Sequence, residues 1–154
     1  MQYWLMKSEP AVFAIQDLER VGSEPWDGVR NYQARNFMRD QMRVGDRVLF
    51  YHSNANPSGV AGLARVASES YPDPTSWDAS SPYYDPKSSP GQPRWFLVDV
   101  AFERTFPTVL PLATLRSLPD LADMPLLKRS RLSIQPVTPE HFDLICRLAD
   151  AGTA

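Results

Sequence analysis

The chain has 154 residues, 43% of them hydrophobic, which predicts a single domain over residues 1–154 with a core of full size. A net charge of −2 excludes a broadly cationic surface that would coat nucleic acid, so any such contact must come from a local patch. No apolar run approaches the roughly 18 residues that span a bilayer, and no signal-peptide pattern opens the chain. We therefore expect a soluble protein with no membrane partner, cytoplasmic, or nuclear if the source is a eukaryote.

The first half of the chain alternates predicted strands and helices. Residues 3–6 have the pattern of a strand, and a helix is predicted from Pro10, which suits a first helical position, to Val21 before a glycine. A loop is predicted at residues 24–28 and a second helix at 31–41. β-Branched and aromatic residues then predict strands, at residues 47–52 and 59–66.

The second half begins with residues 69–93, whose six prolines and six serines predict a long loop. The remaining predicted elements are a strand, a helical turn, a short strand and a C-terminal helix capped by Thr138, at residues 94–106, 112–118, 131–137 and 139–151. Strands and helices interleave without regular βαβ spacing. This order predicts an α+β fold with a curved sheet or small barrel flanked by helices.

Residues 26–39 are the most informative stretch, because they combine an indole, a turn glycine, two asparagines and three arginines. Trp26 has a ring suited to stacking on a nucleobase, and asparagine amides pair with base edges. We therefore consider Trp26, Asn31, Tyr32 and Asn36 as base-binding candidates. The alternative is that Trp26 fills a gap in the core.

The arginines of this stretch are candidates for binding phosphate. Arg35, Arg39 and Arg43 are spaced four residues apart, so they would share one helical face if the second predicted helix continued as far as residue 43. Arg30 stands just before that helix, where backbone N–H groups also favour an anion. The alternative is a solvated helix face with ion pairs to neighbouring carboxylates.

Two strand ends carry further polar clusters. Lys7, Ser8 and Glu9 follow the first strand, where they would either bind a phosphate and a base edge or cap the next helix. His52 and Ser53 end another strand. Two histidines and one cysteine, scattered along the chain, do not make a metal site. No phosphate-binding glycine loop, dinucleotide fingerprint or catalytic triad motif is present, so no cofactor is predicted.

Several of these segments together resemble the EVE domain family, which includes the thymocyte nuclear protein group and lies within the PUA-like superfamily. The resemblance covers essentially the whole chain. Its motifs are YWLMKSEP at 3–10, WDGVRNYQARN at 26–36, LFYHSN at 49–54, GVAGLA at 59–64, YPD at 71–73 and RLSIQPV at 131–137.

The resemblance implies a PUA-like curved β-barrel flanked by short α-helices, with a pocket for a flipped modified base in DNA or RNA. Modified cytosine is the favoured base. Lys7, Ser8 and Trp26 look like counterparts of the lysine–serine motif and cage aromatic with which related YTH domains bind methylated adenine. The protein would act as a monomeric reader without chemistry of its own.

The residues assigned to this predicted site form two groups. The base-binding group is Lys7, Ser8, Glu9, Trp26, Val29, Asn31, Tyr32, Asn36, His52 and Ser53, and the phosphate-binding group is Arg30, Arg35, Arg39 and Arg131.

Two alternative functions and one question about the long loop stay open at this point. Related ASCH domains include amidohydrolases of modified pyrimidine nucleosides, and Lys7 with Glu9 would be the corresponding pair for general acid–base chemistry. A protein-interaction module that uses the aromatic loop at 69–93 is a third function. Within that loop, Tyr83 and its aromatic neighbours would either cover the pocket as a lid or anchor the loop to the core.

Overall fold

The computed structural model describes residues 1–129 and 131–151. Eight strands are present in this part of the chain: β1 (Tyr3–Ser8), β2 (Ser23–Pro25), β3 (Arg47–His52), β4 (Gly59–Val66), β5 (Tyr71–Pro72), β6 (Phe96–Leu97), β7 (Asp99–Pro111) and β8 (Ile134–Val137). The α-helices are short except the last: α1 (Ile15–Val21), α2 (Tyr32–Asn36), α3 (Leu112–Arg116), α4 (Pro125–Lys128) and α5 (Pro139–Asp150). A π-helix, Phe37–Gln41, continues α2, and 3₁₀ turns occupy Pro74–Trp77 and Pro119–Leu121.

Six strands form one curled sheet in the order β2-β7-β4-β3-β1-β8. β1 runs parallel to β3, and the other neighbouring pairs are antiparallel. The pairing of β4 is irregular at three points, against β3 and β7, and such irregularities bend a strand and increase its twist. The predicted α+β fold with a curved sheet and short flanking helices is confirmed.

The sheet carries a hydrophobic cluster on each face. Trp4 and Met6 of β1 belong to the cluster that also holds Trp26, whereas Leu5 between them belongs to the cluster under α3 and α5. This alternation is the period of two expected of a strand buried on both faces. No helix among the described residues has the length and apolar character needed to cross a membrane.

The element predictions were wrong at several boundaries. The first helix begins at Ile15 rather than Pro10, with Ala14 at the cap position, because residues 10–13 form turns instead. Residues 23–25 form edge strand β2, where a loop was predicted. The long strand predicted at 94–106 begins only at Asp99 and extends to Pro111, five residues beyond its predicted end. The short strand predicted at 131–137 begins only at Ile134.

Candidate functional site

A cavity of about 430 Å³ opens beside the end of β1. Its volume lies within the range of about 300–1,000 Å³ that is usual for small-molecule sites. The walls come from the end of β1, the turn before α1, the segment from β2 to Arg30, and single residues of two loops. The lining residues are Lys7, Ser8, Glu9, Val12, Phe13, Glu24, Pro25, Trp26, Asp27, Gly28, Val29, Arg30, Tyr83 and Ser133. We call this space the main cavity.

Trp26 lies in the wall of the main cavity with most of its ring in the core. Its backbone N–H donates to Val98 O at 2.9 Å, which extends the β2–β7 pairing by one residue. The indole is 9% exposed and meets the ring of Phe50 edge-on, with 5.5 Å between centroids. The interpretation of Trp26 as a core residue is therefore correct, and the ring also borders the cavity. Its stacking on a base stays a prediction.

The turn after Trp26 is held by Asp73, a fully buried carboxylate from the long loop. Asp73 accepts from Gly28 N at 2.9 Å, from Arg30 Nη1 at 3.1 Å and from both the backbone and the hydroxyl of Thr75. Burial alone would raise the pKa of Asp73. The hydrogen bonds from Thr75, Gly28 and Arg30 outweigh that effect and lower the pKa below its ordinary value.

Arg30 ties the same turn to Tyr83. Its guanidinium makes five hydrogen bonds, as many as it has N–H groups, to Tyr83 O twice, Val29 O, Asp73 and Thr75. The group also lies 5.7 Å from the ring centroid of Tyr83 and 5.4 Å from that of Trp95. A phosphate at Arg30 would have to replace one of these internal acceptors. Phosphate binding by Arg30 stays a prediction, and its observed role is to position the cavity wall.

Gly28 allows Tyr83 to reach the cavity. The backbone of Gly28 has φ +79°, and a Cβ there would stand 2.7 Å from Cζ of Tyr83. Tyr83 is 37% exposed and lines the main cavity, whereas Tyr71 donates its hydroxyl to Asp99 at 2.5 Å and thereby anchors the loop. The loop is therefore anchored through Tyr71, whereas a lid role for Tyr83 stays a prediction.

We expect Gly28→Ala to lower the free energy of unfolding by roughly 1–2 kcal/mol, because the left-handed backbone strains any residue with a Cβ and Tyr83 must move. Thermal denaturation measures this loss. Gly91→Ala, in the loop that carries Tyr83, is the control, since a Cβ at Gly91 meets nothing within 4 Å. Equal stability of the two variants would contradict the assigned contact.

The end of β1 forms another wall of the main cavity. Lys7 is half-buried, which lowers the pKa of its ammonium, and this group lies 5.8 Å from the ring centroid of Tyr51. Ser8 donates its hydroxyl to Phe13 O at 2.6 Å, so the interpretation of Ser8 as a helix cap is wrong. Glu9 is exposed and accepts from Asn54 Nδ2 at 3.0 Å.

Several predicted base-binding residues lie outside the main cavity. Asn31 caps α2 by accepting from Ala34 N and lines a second cavity of about 250 Å³ with Arg129, Arg131 and Leu132. Ser53 lines a third cavity of about 170 Å³. The second cavity adjoins the main one. Arg30 and Ser133 line the main cavity, and their chain neighbours Asn31 and Leu132 line the second.

Three further predicted residues are engaged in internal contacts. Tyr32 stacks on Trp95 with centroids 4.7 Å apart, and Asn36 accepts from the guanidinium of Arg35. His52 is buried and accepts at Nε2 from Ile15 N, and burial lowers its pKa and favours the neutral ring. A base-binding role for these three residues stays a prediction, and none of them borders the main cavity.

The predicted arginine row is interrupted. The π-helix ends at Gln41 and Met42 is extended, so Arg43 falls outside the helix and does not share a face with Arg35 and Arg39. Arg35 donates to Arg94 O at 2.7 Å, and Arg39 forms an exposed ion pair with Asp40. Arg131 is exposed at the second cavity. Phosphate binding by Arg35, Arg39 and Arg131 stays a prediction.

Two acidic residues of the main cavity were missed as functional candidates. Glu24 is half-buried on β2, and Asp27 lies exposed at the rim one residue after Trp26. Desolvation and then the neighbouring Asp27 raise the pKa of Glu24, and desolvation followed by Asp73 raises the pKa of Asp27. Asp27 was visible only as a turn residue before a glycine, and Glu24 lay in a predicted loop. Nothing in the sequence signalled that they share a cavity.

The fold and the main cavity together define a protein of PUA-like architecture, and the curved barrel implied by the resemblance is confirmed. The sequence profile of the EVE domain matches residues 2–148, and the chain belongs to the EVE domain family.

Among known proteins the chain is similar to thymocyte nuclear protein 1 of Homo sapiens, with 43% identity over 167 residues that cover 96% of this chain and 74% of the human protein. A crystal structure of human THYN1 protein in complex with 5-methylcytosine-containing DNA matches with a TM-score of 0.91 and 43% identity, over 97% of this chain and 98% of that one.

Two other structures show how far the likeness extends. A hypothetical protein from Leishmania major matches with a TM-score of 0.96 and 47% identity, over 100% of this chain and 98% of that one. A mutant ASCH protein from Zymomonas mobilis matches with a TM-score of 0.53 at 11% identity, over 96% of this chain and 99% of that one. At that identity the likeness shows a shared fold alone.

Proposed function

We propose that this protein binds DNA that carries a modified cytosine, with 5-methylcytosine as the probe of choice, and takes the flipped base into the main cavity. The proposal is carried by one observation: a cavity of suitable size lies in a fold shared with a protein solved on 5-methylcytosine-containing DNA. Flipping a base costs a few kcal/mol, which contacts inside the cavity must offset.

We propose that the DNA backbone lies at the second cavity. It adjoins the main cavity and is lined by Arg129 and Arg131, both exposed. Arg129 donates to Gln33 Oε1 at 2.7 Å, which holds its guanidinium over α2. Arginine forks suit phosphate oxygens, and two of them beside a base-sized cavity would grip the phosphates that flank a flipped nucleotide. This local patch accounts for DNA binding by a chain with a net charge of −2.

The test is a binding panel with oligonucleotides that differ at one position, read by fluorescence anisotropy. We expect tighter binding of 5-methylcytosine than of cytosine in DNA, by a factor of about four, since burial of one methyl group is worth about 0.8 kcal/mol. Equal affinity for the two bases contradicts selection of the modification. Tighter binding of the matching RNA oligonucleotides would transfer the proposal from DNA to RNA.

Arg131→Gln is expected to weaken binding to methylated and unmethylated DNA alike, because phosphate contacts carry no base information. The slope of log K against log salt concentration is negative. It should become less steep by about 0.9 for each phosphate that the variant no longer neutralises. Titrations between 50 and 200 mM salt measure this slope. Arg147→Gln, on the exposed side of α5, is the control that should leave the slope unchanged. An unchanged slope in Arg131→Gln would remove this residue from the phosphate site.

We propose binding without turnover. The hydrolase alternative depends on Lys7 with Glu9, and the exposed Glu9 carboxylate is directed to Asn54. Incubation with modified cytidines followed by mass spectrometry tests the point. Product formation that Glu9→Ala abolishes would establish an enzyme instead.

A further inference from the structure

A cavity that accepts 5-methylcytosine must also deal with thymine. Both rings are pyrimidines with a methyl group at C5, so an apolar niche for that methyl group cannot separate them. The two bases differ only at C4 and N3. Cytosine has an amino group at C4 and an acceptor at N3, whereas thymine has a carbonyl oxygen at C4 and an N–H at N3. Thymine is present in ordinary DNA, so a reader of modified cytosine needs contacts that distinguish this edge.

The main cavity contains two carboxylates placed for such contacts. Glu24 and Asp27 flank Trp26 in the chain, and all three residues line the cavity. Among residues 1–129 and 131–151, no other residue donates a hydrogen bond to either carboxylate, and the backbone contact of Asp27 is with its own N–H. This differs from Glu9, which already accepts from Asn54, and from Asp73, which has four donors.

The electrostatic surroundings leave both groups in need of a donor. Burial and then Asp27 raise the pKa of Glu24, although Arg20 opposes this effect. Burial and then Asp73 raise the pKa of Asp27, and the positive charge of Arg30 opposes this effect only in part. The N–H groups of that guanidinium donate to other acceptors. A neutral N–H donor that enters the cavity would stabilise the ionised forms, whereas a carbonyl oxygen would add a further negative partial charge.

We propose, on the basis of the proposed function, that Glu24 and Asp27 select a base with an exocyclic amino group, and so favour 5-methylcytosine over thymine. The amino group of cytosine presents two N–H donors on one nitrogen, which matches two acceptors on one wall. Thymine offers a single N–H that lies between two carbonyl oxygens, so a carboxylate that approaches it also meets an oxygen. Carboxylates are the side chains that accept from the cytosine amino group in direct readout of DNA.

The test compares oligonucleotides with 5-methylcytosine or thymine at one unpaired position, bound to the wild type and to Asp27→Asn and Glu24→Gln. We expect the wild type to bind 5-methylcytosine at least about tenfold more tightly, within the range that one base-edge contact supplies. Each amide variant should reduce this ratio at least fivefold, mainly by improving thymine binding, because an amide can donate to O4. Asp143→Asn on α5 removes the same charge away from the cavity and should keep the wild-type ratio.

The outcomes separate this inference from the proposed function. If the wild type binds both oligonucleotides equally, or if both amide variants keep the wild-type ratio, the carboxylates do not select the base, and DNA binding as proposed still stands. If the wild type binds neither oligonucleotide, the proposed function itself fails. Thermal denaturation of each variant shows that it is folded, and Glu24→Gln answers the question alone if Asp27→Asn does not fold.

Discussion

Replacement of Asp73 by alanine is expected to lower the free energy of unfolding by about 3 kcal/mol. This value is the lower end for removing one partner of a buried ion pair, because Arg30 keeps 23% of its side chain exposed while Asp73 keeps 1%. The substitution also leaves Gly28 N–H and the Thr75 donors without their acceptor. Chemical denaturation measures the loss. Glu69→Ala, at an exposed position in the same loop, should stay within about 0.5 kcal/mol of the wild type.

The difference between wild type and Asp73→Ala should depend on pH in a defined direction. The pKa of Asp73 is lowered in the folded protein from its ordinary value of 3.8, so its ionised form stabilises the fold above that value. This contribution is lost as the pH falls through the lowered folded pKa. Glu24 and Asp27 have raised pKa values and act in the opposite direction. Glu24 is present in both proteins, and removal of Asp73 also removes the part of the Asp27 shift that Asp73 causes, which makes the difference at neutral pH smaller without reversing its direction. A stability difference that stays constant from pH 6 to pH 2 would contradict the assigned role of Asp73.

The second large effect is expected at Trp26. Trp26→Ala should weaken binding to 5-methylcytosine DNA at least about tenfold, since stacking on an aromatic ring is worth about 1–3 kcal/mol per base. Most of the ring is buried against Phe50, so the same substitution should also cost about 3–5 kcal/mol of stability. Binding must therefore be measured at a temperature where circular dichroism shows that the variant is folded.

A gentler pair of variants separates the two effects of Trp26. Trp26→Phe keeps an aromatic ring but loses area for stacking, whereas Trp4→Phe removes an indole that is 1% exposed and donates to Asp46, away from the main cavity. We expect both variants to lose stability and only Trp26→Phe to lose affinity. If the two bind equally well, Trp26 serves the core and not the base.

The sheet could be predicted more completely from the sequence than the site. β3 and β4 begin and end at the predicted residues because continuous runs of buried residues define them. β2 was missed since three residues with a proline carry almost no periodic signal, and its pairing with β7 is set by residues far along the chain, as Ser23 opposite Ala101 shows. The start of α1 was misplaced because Pro10 satisfies a local rule that tertiary contacts override.

The same limit explains which site residues were found. Lys7, Ser8, Glu9 and Trp26, which were proposed from strand ends and a turn, border the main cavity, and so does Val29, which the resemblance supplied. Their base-binding role stays a prediction. Tyr83 reaches it from a loop more than fifty residues later, through the contacts of Arg30 and Gly28. Asn31 and Ser53 line two other cavities instead. Long-range hydrogen bonds decide such placements, and a single sequence does not reveal them.

The walls of the main cavity come partly from segments paired with the sheet and partly from the long loop, so the two parts can change independently. Trp26 and Lys7 belong to segments paired with the sheet, whereas Tyr83 is supplied by the long loop through Arg30 and Asp73. Substitutions around Tyr83 are therefore expected to change the part of the cavity wall that the loop supplies, while the wall formed by Trp26 and Lys7 keeps its shape. For the proposed reader, evolution or design could therefore alter the choice of base modification separately from the contacts that hold the ring of the base.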